Sequence, residues 1–430
     1  MGMMIFTTAC LAETIFLIWS FTTKDGQDKW KEAVRAGGLA LLFLLLLAKV
    51  LRGFFRYAFF AGVLAIQVLW VGIRLYRKKE APFRKGKWIL KWIGNMLLYG
   101  ICLLPAIVFP QYKEPVVTGS YAVKLAEYTW EDESRMETYT DTGENRSLTV
   151  KFWYPAEEGS YPLVVFSHGA FGVIDSNYST CKELASNGYV VASIGHPYHA
   201  MFVEDVNGRV TMADREFIQQ AYTVNDIGDF EVEEKIYAYS KEWMEIRTGD
   251  ENFVLDTILQ KAAKGEEGPF SMVDAEKIGL FGHSMGGASS VQLGRERDDI
   301  DAVINLDGTM LGEYTGYEDG VWYYSKEPYP IPLLDVTSRA ADNRKGNPGG
   351  PVYVNFYVGE NAVDYHYTVF EDAGHLNFTD LPLVSPPLAR MLGCGDVDAL
   401  DCIENVNEMV LHFFDYYLKG KKDSRWEAVY

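Results

Sequence analysis

Near the middle of the chain, Gly282-His283-Ser284-Met285-Gly286 matches the Gly-x-Ser-x-Gly pattern of an activated serine. An apolar run at 277–281 precedes it and a helical stretch at 285–294 follows. The spacing therefore predicts a strand, a sharp turn and a helix. Ser284 would sit on the turn, where a side chain at Gly282 or Gly286 would collide with neighbouring backbone. A helix starting at Met285 directs its amide end toward a developing oxyanion. The competing explanation is a chance match in a glycine-rich turn, and the strand-turn-helix setting argues against it.

A serine hydroxyl is a weak nucleophile and needs a base. Seven histidines compete for that role. His168 and His283 lie inside glycine motifs at strand ends, His366 within a strand pattern and His412 in the last helix. His196-x-x-His199 has the spacing of a metal pair, but no Cys or carboxylate cluster completes it. A pocket-wall or structural role is read there, and neither metal nor cofactor is called for. His375 follows the last strand, in Asp372-Ala373-Gly374-His375, where this chemistry places its base. The acid that orients the imidazole is expected between Ser284 and His375 in chain order. Asp307, at the end of a strand over 302–306, is the candidate; Asp335, within the next strand pattern, is the rival. An oxyanion also needs two backbone donors. Met285 supplies one, and Ala170 is the candidate for the other, from the loop His168-Gly169-Ala170-Phe171-Gly172.

These residues require a scaffold that brings distant strand ends together. Antiparallel strands are expected over 121–128 and 148–154, around the turn signal 141–145. Strands over 163–167, 189–194, 277–281, 302–306, 331–336 and 365–370 then alternate with helical stretches at 178–187, 253–263, 285–294 and 406–418. Such alternation predicts an α/β chain, an α/β-hydrolase fold with a mostly parallel central sheet covered on both faces. Two insertions interrupt it. Residues 197–242, rich in acids and aromatics, read as a partly helical cap. Residues 312–330 carry Tyr314, Tyr317, Trp322, Tyr323 and Tyr324, either a substrate wall or packing against the sheet.

The 430 residues hold 40 Lys/Arg against 59 Asp/Glu, a net charge of -19, which argues against a nucleic-acid partner. The charge is uneven. Residues 1–113 hold 16 basic and 5 acidic residues, so the remainder is strongly acidic. The basic part contains apolar runs at 3–21, 36–51, 57–76 and 88–109, read as three to four membrane helices preceding the α/β region. Glu13 lies in the first run and is costly at mid-bilayer. Arg74, Arg77, Lys78, Lys79, Arg84, Lys85 and Lys87 crowd the connection between the last two runs. The positive-inside rule assigns that connection to the cytoplasm and residues 114–430 to the outer side. Cys394 and Cys402 flank a short acidic loop and would be placed to pair in an oxidising compartment.

Residues 119–420 resemble the platelet-activating factor acetylhydrolase family, in its plasma and type II intracellular forms. The resemblance is carried by Tyr161-Pro162-Leu163-Val164-Val165-Phe166-Ser167-His168-Gly169, by Ala185–Ala192, by Gly282–Ala288, by Leu306-Asp307-Gly308-Thr309-Met310 and by His375–Asp380. It implies the triad Ser284, Asp307 and His375, the oxyanion donors Ala170 and Met285, no metal, and cleavage of short or oxidised acyl groups from phospholipids. The chain differs in carrying Gly308-Thr309 where the family usually has an aromatic, and Met285 where Phe is common. The expectation is thus a membrane-anchored serine esterase with a small ester or phospholipid substrate. Another extracytoplasmic carboxylesterase, dienelactone-hydrolase-like or polyester-hydrolase-like, is the alternative, and a catalytically silent binding module is a third reading.

Overall fold

The computed structural model describes residues 2–77, 84–224, 230–339 and 353–422. The chain divides into two compact units, residues 1–113 with 384–391, and residues 114–383 with 392–430.

The first unit contains α1 (Gly2–Thr23), α2 (Asp28–Leu47), α3 (Phe55–Tyr76) and α4 (Lys85–Val108). Among the described residues, three segments are long and apolar enough to cross a membrane: Met4–Thr23, Phe55–Arg74 and Lys85–Val108. The run expected over 36–51 falls short. Asp28, Lys29, Lys31, Glu32 and Arg35 occupy the first turns of α2, and the apolar remainder is roughly 18 Å long at 1.5 Å per residue. The cost anticipated for Glu13 has a structural answer. Its carboxylate is buried and accepts from Arg35 Nε at 2.8 Å and from Asn95 Nδ2 at 3.1 Å. Tyr99 OH completes the set and bonds Gln67 at 2.7 Å. All four helices thus contribute to one polar core, the arrangement that makes an ionisable group tolerable among apolar helices. Phe59, Ile66, Leu69, Leu90 and Leu97 are exposed on the outer faces. Lys78 and Lys79 of the basic connection lie outside the described residues.

The second unit is a mixed α/β structure. Its sheet strands are β1 (Val123–Met136), β2 (Asn145–Pro155), β3 (Tyr161–Ser167), β4 (Val190–Gly195), β7 (Val273–His283), β8 (Ala302–Leu306), β11 (Leu333–Ser338) and β12 (Tyr365–Phe370). Two hairpins lie apart from it, β5 (Phe202–Glu204) with β6 (Val210–Met212), and β9 (Tyr314–Glu318) with β10 (Val321–Tyr324). The eight-stranded order is β1-β2-β4-β3-β7-β8-β11-β12. Only the β1–β2 and β2–β4 pairs are antiparallel; the rest are parallel. Parallel strands need both faces covered, and β3, β4 and β8 are buried along their whole length.

The helices covering the sheet include α5 (Tyr178–Ser186), α7 (Phe230–Ala263) and α8 (Met285–Glu296). A C-terminal helix, Ala399–Lys419, is capped by Asp398, whose side chain accepts from two amides. It buries Val406, Met409, Val410, Phe413 and Phe414, the amphipathic stripe read from the sequence. The main departure is α7, expected over 253–263 and beginning instead at Phe230. Its buried stripe carries Arg247, Asp250 and Glu251 beside Val254 and Leu255, so charged residues interrupt the apolar period that would have revealed it. The insertion 197–242 therefore consists of the β5–β6 hairpin, α6 (Arg215–Val224) and the first turns of α7; within it, 225–229 lie outside the described residues. The aromatic insertion 312–330 forms the β9–β10 hairpin, whose Tyr314, Trp322 and Tyr324 pack on the main hydrophobic core. All five cysteines are free thiols.

Candidate active site

Parallel register fixes which strand ends meet. Ser167 pairs with Gly282, His283 with Leu306, and Leu306 with Val336. The carboxyl ends of β3, β7, β8 and β11 therefore align along one edge, where open parallel sheets hold their ligands. Ser284 leaves β7 at φ 55° and ψ −123°, a left-handed conformation for a residue with a Cβ. Its amide donates to Leu306 O at 2.8 Å, tying the turn to β8, and α8 begins at the next residue. A Cβ at Gly282 would overlap Gly286 backbone, and one at Gly286 would overlap the Ser167 carbonyl. Both glycines are thus required by close approach. A Cβ at Gly308 would overlap the Ser284 carbonyl just as closely.

Asp307 follows β8, itself at φ 53°. Its Oδ2 lies 2.7 Å from His375 Nδ1. Its Oδ1 accepts the Ser338 amide at 2.7 Å and the Thr337 hydroxyl at 3.1 Å, and the Ser338 hydroxyl reaches Oδ2 at 3.1 Å. Burial opposes ionisation, yet the His375 bond and these donors hold the Asp307 carboxyl below its ordinary range. The rival Asp335 is buried elsewhere, bonded to Asn305 at 2.7 Å, Asn355 at 3.1 Å and Tyr365 at 3.0 Å. Burial pushes it up to about 6. It makes no bond to His375. Thr337 and Ser338 were not singled out from the sequence. Their signal is positional, since they end the strand beside Asp307.

His375 is half-exposed on its side chain. Its carbonyl accepts from His283 Nε2 at 2.8 Å, and the two rings lie 4.6 Å apart. Burial, with His375 alongside, lowers the His283 pKa, so this imidazole stays neutral. Ser284 and His375 share no direct hydrogen bond in this arrangement; such bonds are often long before substrate binds.

The loop after β3 runs beside the elbow, and a Cβ at Gly169 would lie 3.0 Å from Ser284 Cβ. Ala170 and Met285 share an apolar cluster with Phe171, Phe217, Trp243 and Met244. Phe217, from α6, packs 5.0 Å from Phe171 and 4.2 Å from His199. The insertion thus rests on the Ala170 loop. His196 and His199 serve protein contacts. His196 lies 2.9 Å from Asp250 and 3.0 Å from Ser167 Oγ, and His199 lies 2.7 Å from Tyr139 OH. Among the described residues there is no group of three or more His, Cys, Asp or Glu suited to a metal ion.

A mostly parallel sheet with a left-handed serine and an Asp–His pair at its carboxyl edge belongs to the α/β-hydrolase superfamily. Within it, the family model for platelet-activating factor acetylhydrolase, isoform II, matches residues 120–430, and the chain belongs to that family. The platelet-activating factor acetylhydrolase of Canis lupus familiaris is 24% identical over 307 residues, covering 63% of this chain and 60% of that protein. The same enzyme of Gallus gallus is 25% identical over 306 residues, covering 63% and 65%. A probable 1-alkyl-2-acetylglycerophosphocholine esterase of Arthroderma benhamiae is 26% identical over 275 residues, covering 61% and 62%. The chain thus spans less than two thirds of the length of these relatives. A solved ferulic acid esterase from Streptomyces cinnamoneus has the same fold, with a TM-score of 0.54 at 23% identity, over 73% of this chain and 95% of that one.

Proposed function

We propose that the protein is a membrane-anchored serine esterase that releases short acyl groups from carboxylic esters, with the sn-2 acyl group of a phospholipid as the preferred class. The observation that carries this reading is the 2.7 Å Asp307–His375 bond beside a left-handed serine at a strand-to-helix turn. Asp307 accepts from His375 Nδ1–H, which leaves Nε2 free to take the Ser284 proton. The Ser284 oxygen attacks the ester carbonyl, and the amides of Ala170 and Met285 hold the oxyanion. His375 returns the proton to the departing alcohol. Water then attacks the acyl-enzyme, His375 takes its proton, and the carboxylic acid leaves as Ser284 is reprotonated. The family model and the relatives, named as acetylhydrolases, support the short acyl group. The apolar segments support anchoring, and the basic connection between α3 and α4 supports an extracytoplasmic catalytic unit. The insertion that rests on the Ala170 loop acts as the cap.

The test is hydrolysis of p-nitrophenyl esters, acetyl through dodecanoyl, by the full chain in detergent beside its Ser284→Ala variant. Turnover that falls steeply with acyl length and is absent from the variant is the expected result. A long-chain preference would move the assignment to a lipase-like pocket. No serine-dependent turnover and no fluorophosphonate labelling by the folded protein would move it to a binding module.

A further inference from the structure

A second Asp–His–Ser set lies inside the catalytic unit, away from the first. Asp250, on α7, lies 2.9 Å from His196 Nδ1, and His196 Nε2 lies 3.0 Å from Ser167 Oγ. All three are buried. Arg146, from β2, donates to both Asp250 oxygens at 2.6 and 2.7 Å, and Arg135 reaches the same carboxylate at 3.0 Å. A carboxylate so held stays ionised and only accepts. His196 must therefore donate from Nδ1 and accept the Ser167 hydroxyl at Nε2. Burial and the neighbouring Arg247 push the His196 pKa down to about 3, in keeping with a fixed neutral ring.

The tautomer of His168 follows in turn. Its Nε2 accepts the backbone N–H of His196 at 3.3 Å, so its Nδ1 carries the proton and donates to Gly169 O at 2.7 Å. The amide of Gly172 donates to the same oxygen at 3.0 Å. A trans peptide plane directs its C=O and the next N–H to opposite sides. Holding Gly169 O therefore aims Ala170 N–H, which makes no hydrogen bond to any described residue. The clamp acts on three successive residues: the Ser167 side chain through the His196 ring, the His168 ring through the His196 backbone, and Gly169 O through His168.

We propose that Asp250 and His196 are positioning residues for acyl transfer, locking the Gly169–Ala170 peptide so that its N–H is preset for the oxyanion. The inference rests on the esterase reading above. It makes α7, which begins within the cap insertion, a structural support of the oxyanion loop.

The test uses the full chain in detergent and the variants His196→Asn and Asp250→Asn. His196→Asn keeps a donor toward Asp250 but removes the acceptor for Ser167. Asp250→Asn removes the charge that selects the His196 tautomer. Activity is read as kcat and KM on an acetyl ester and on the matching thionoester, whose sulfur gains little from an oxygen-sized donor site. A misaimed donor lowers oxygen-ester kcat by roughly 100-fold with KM nearly unchanged, while thionoester turnover holds, so the oxygen-to-thiono ratio collapses. Folded variants that keep full kcat, or that lose both activities equally, would overturn the proposal. A measurement on the unaltered protein covers variants that fail to fold. With ¹⁵N-histidine labelling, two imidazoles are expected as Nδ1–H tautomers that do not titrate between pH 5 and 9. Fewer than two would overturn the proposal. Should Ser284→Ala remain fully active, the esterase reading fails while the tautomer result stands by itself.

Discussion

The α/β unit contains two Asp–His pairs of nearly equal geometry and opposite exposure. Asp307 and His375 lie 2.7 Å apart, and the His375 side chain is 45% exposed. Asp250 and His196 lie 2.9 Å apart, and both side chains are 0% exposed. Distance alone does not tell the two pairs apart. His375 has a face open to substrate and water, so it can exchange a proton with either. His196 is enclosed by Ser167, His168, Asp250 and Arg247, and its proton has nowhere to go. The acids differ as well. Asp307 is held by a hydroxyl pair, an amide and His375, leaving its charge available to a developing imidazolium. The charge of Asp250 is already engaged by Arg146 and Arg135.

The comparison can be broken most severely at the two serines. Ser284→Ala is expected to lower kcat by roughly 10⁶-fold and abolish fluorophosphonate labelling, whereas Ser167→Ala, which removes the hydrogen bond to His196, should stay labelled and lose roughly 100-fold in kcat. A comparable loss in both would erase the distinction. At the two acids the same substitution is expected to read out differently. Asp307→Asn lowers kcat by roughly 10⁴-fold in a protein that still folds. Asp250→Asn removes one of the two carboxylates that pair with buried Arg146, leaving Glu137 at 2.9 Å, and costs about 3 kcal/mol of stability, measured by denaturant unfolding. An Asp250→Asn protein as stable as the parent would show that the sealed pair is dispensable to the fold.

Opposite pH signatures sharpen the contrast further. Asp307 titrates below its ordinary range, so its ionised form favours the fold. That contribution is present above the unfolded value of about 4 and is lost as pH falls through the folded pKa. The stability gap between parent and Asp307→Asn should therefore close on acidification. Glu251, beside the sealed set and bonded to Ser289 and Ser290, behaves in reverse. Burial raises its carboxyl to about 7. A raised carboxyl costs nothing below the unfolded value and disfavours the fold as pH rises toward 7. Glu251→Gln should thus gain up to ~3 kcal/mol by pH 8 and almost nothing at pH 4, followed by Tm across that range. A gain independent of pH would remove Glu251 as the titrating group.

The open site was largely legible in the sequence because its members sit at boundaries that local rules create. Ser284 stands where a strand pattern meets a helix pattern between two glycines, and His375 follows the last strand. Asp307 also stands out over Asp335 by its place at a strand end. The sealed pair was not legible. His196 showed only a metal-like spacing, and Asp250 lies ahead of the helix expected over 253–263, because α7 mixes charges into its buried stripe. In the first unit, Glu13 announced a cost but not its remedy, since Arg35, Gln67, Asn95 and Tyr99 come from three other helices.

By itself, then, the sequence determined the order of strands and helices, the serine turn and its glycines, and the split between an apolar basic segment and an acidic α/β region. These depend on backbone sterics and hydrophobic period, which act over a few residues. Only the tertiary structure decided which acid meets which imidazole. Strand order sets Leu306 beside Val336, which brings Thr337 and Ser338 to Asp307 and leaves Asp335 among Asn305, Asn355 and Tyr365. Partners 68 and 54 residues apart are joined by sheet register and helix packing. Burial then separates them, because a proton can be traded at a solvent-facing ring and not at an enclosed one.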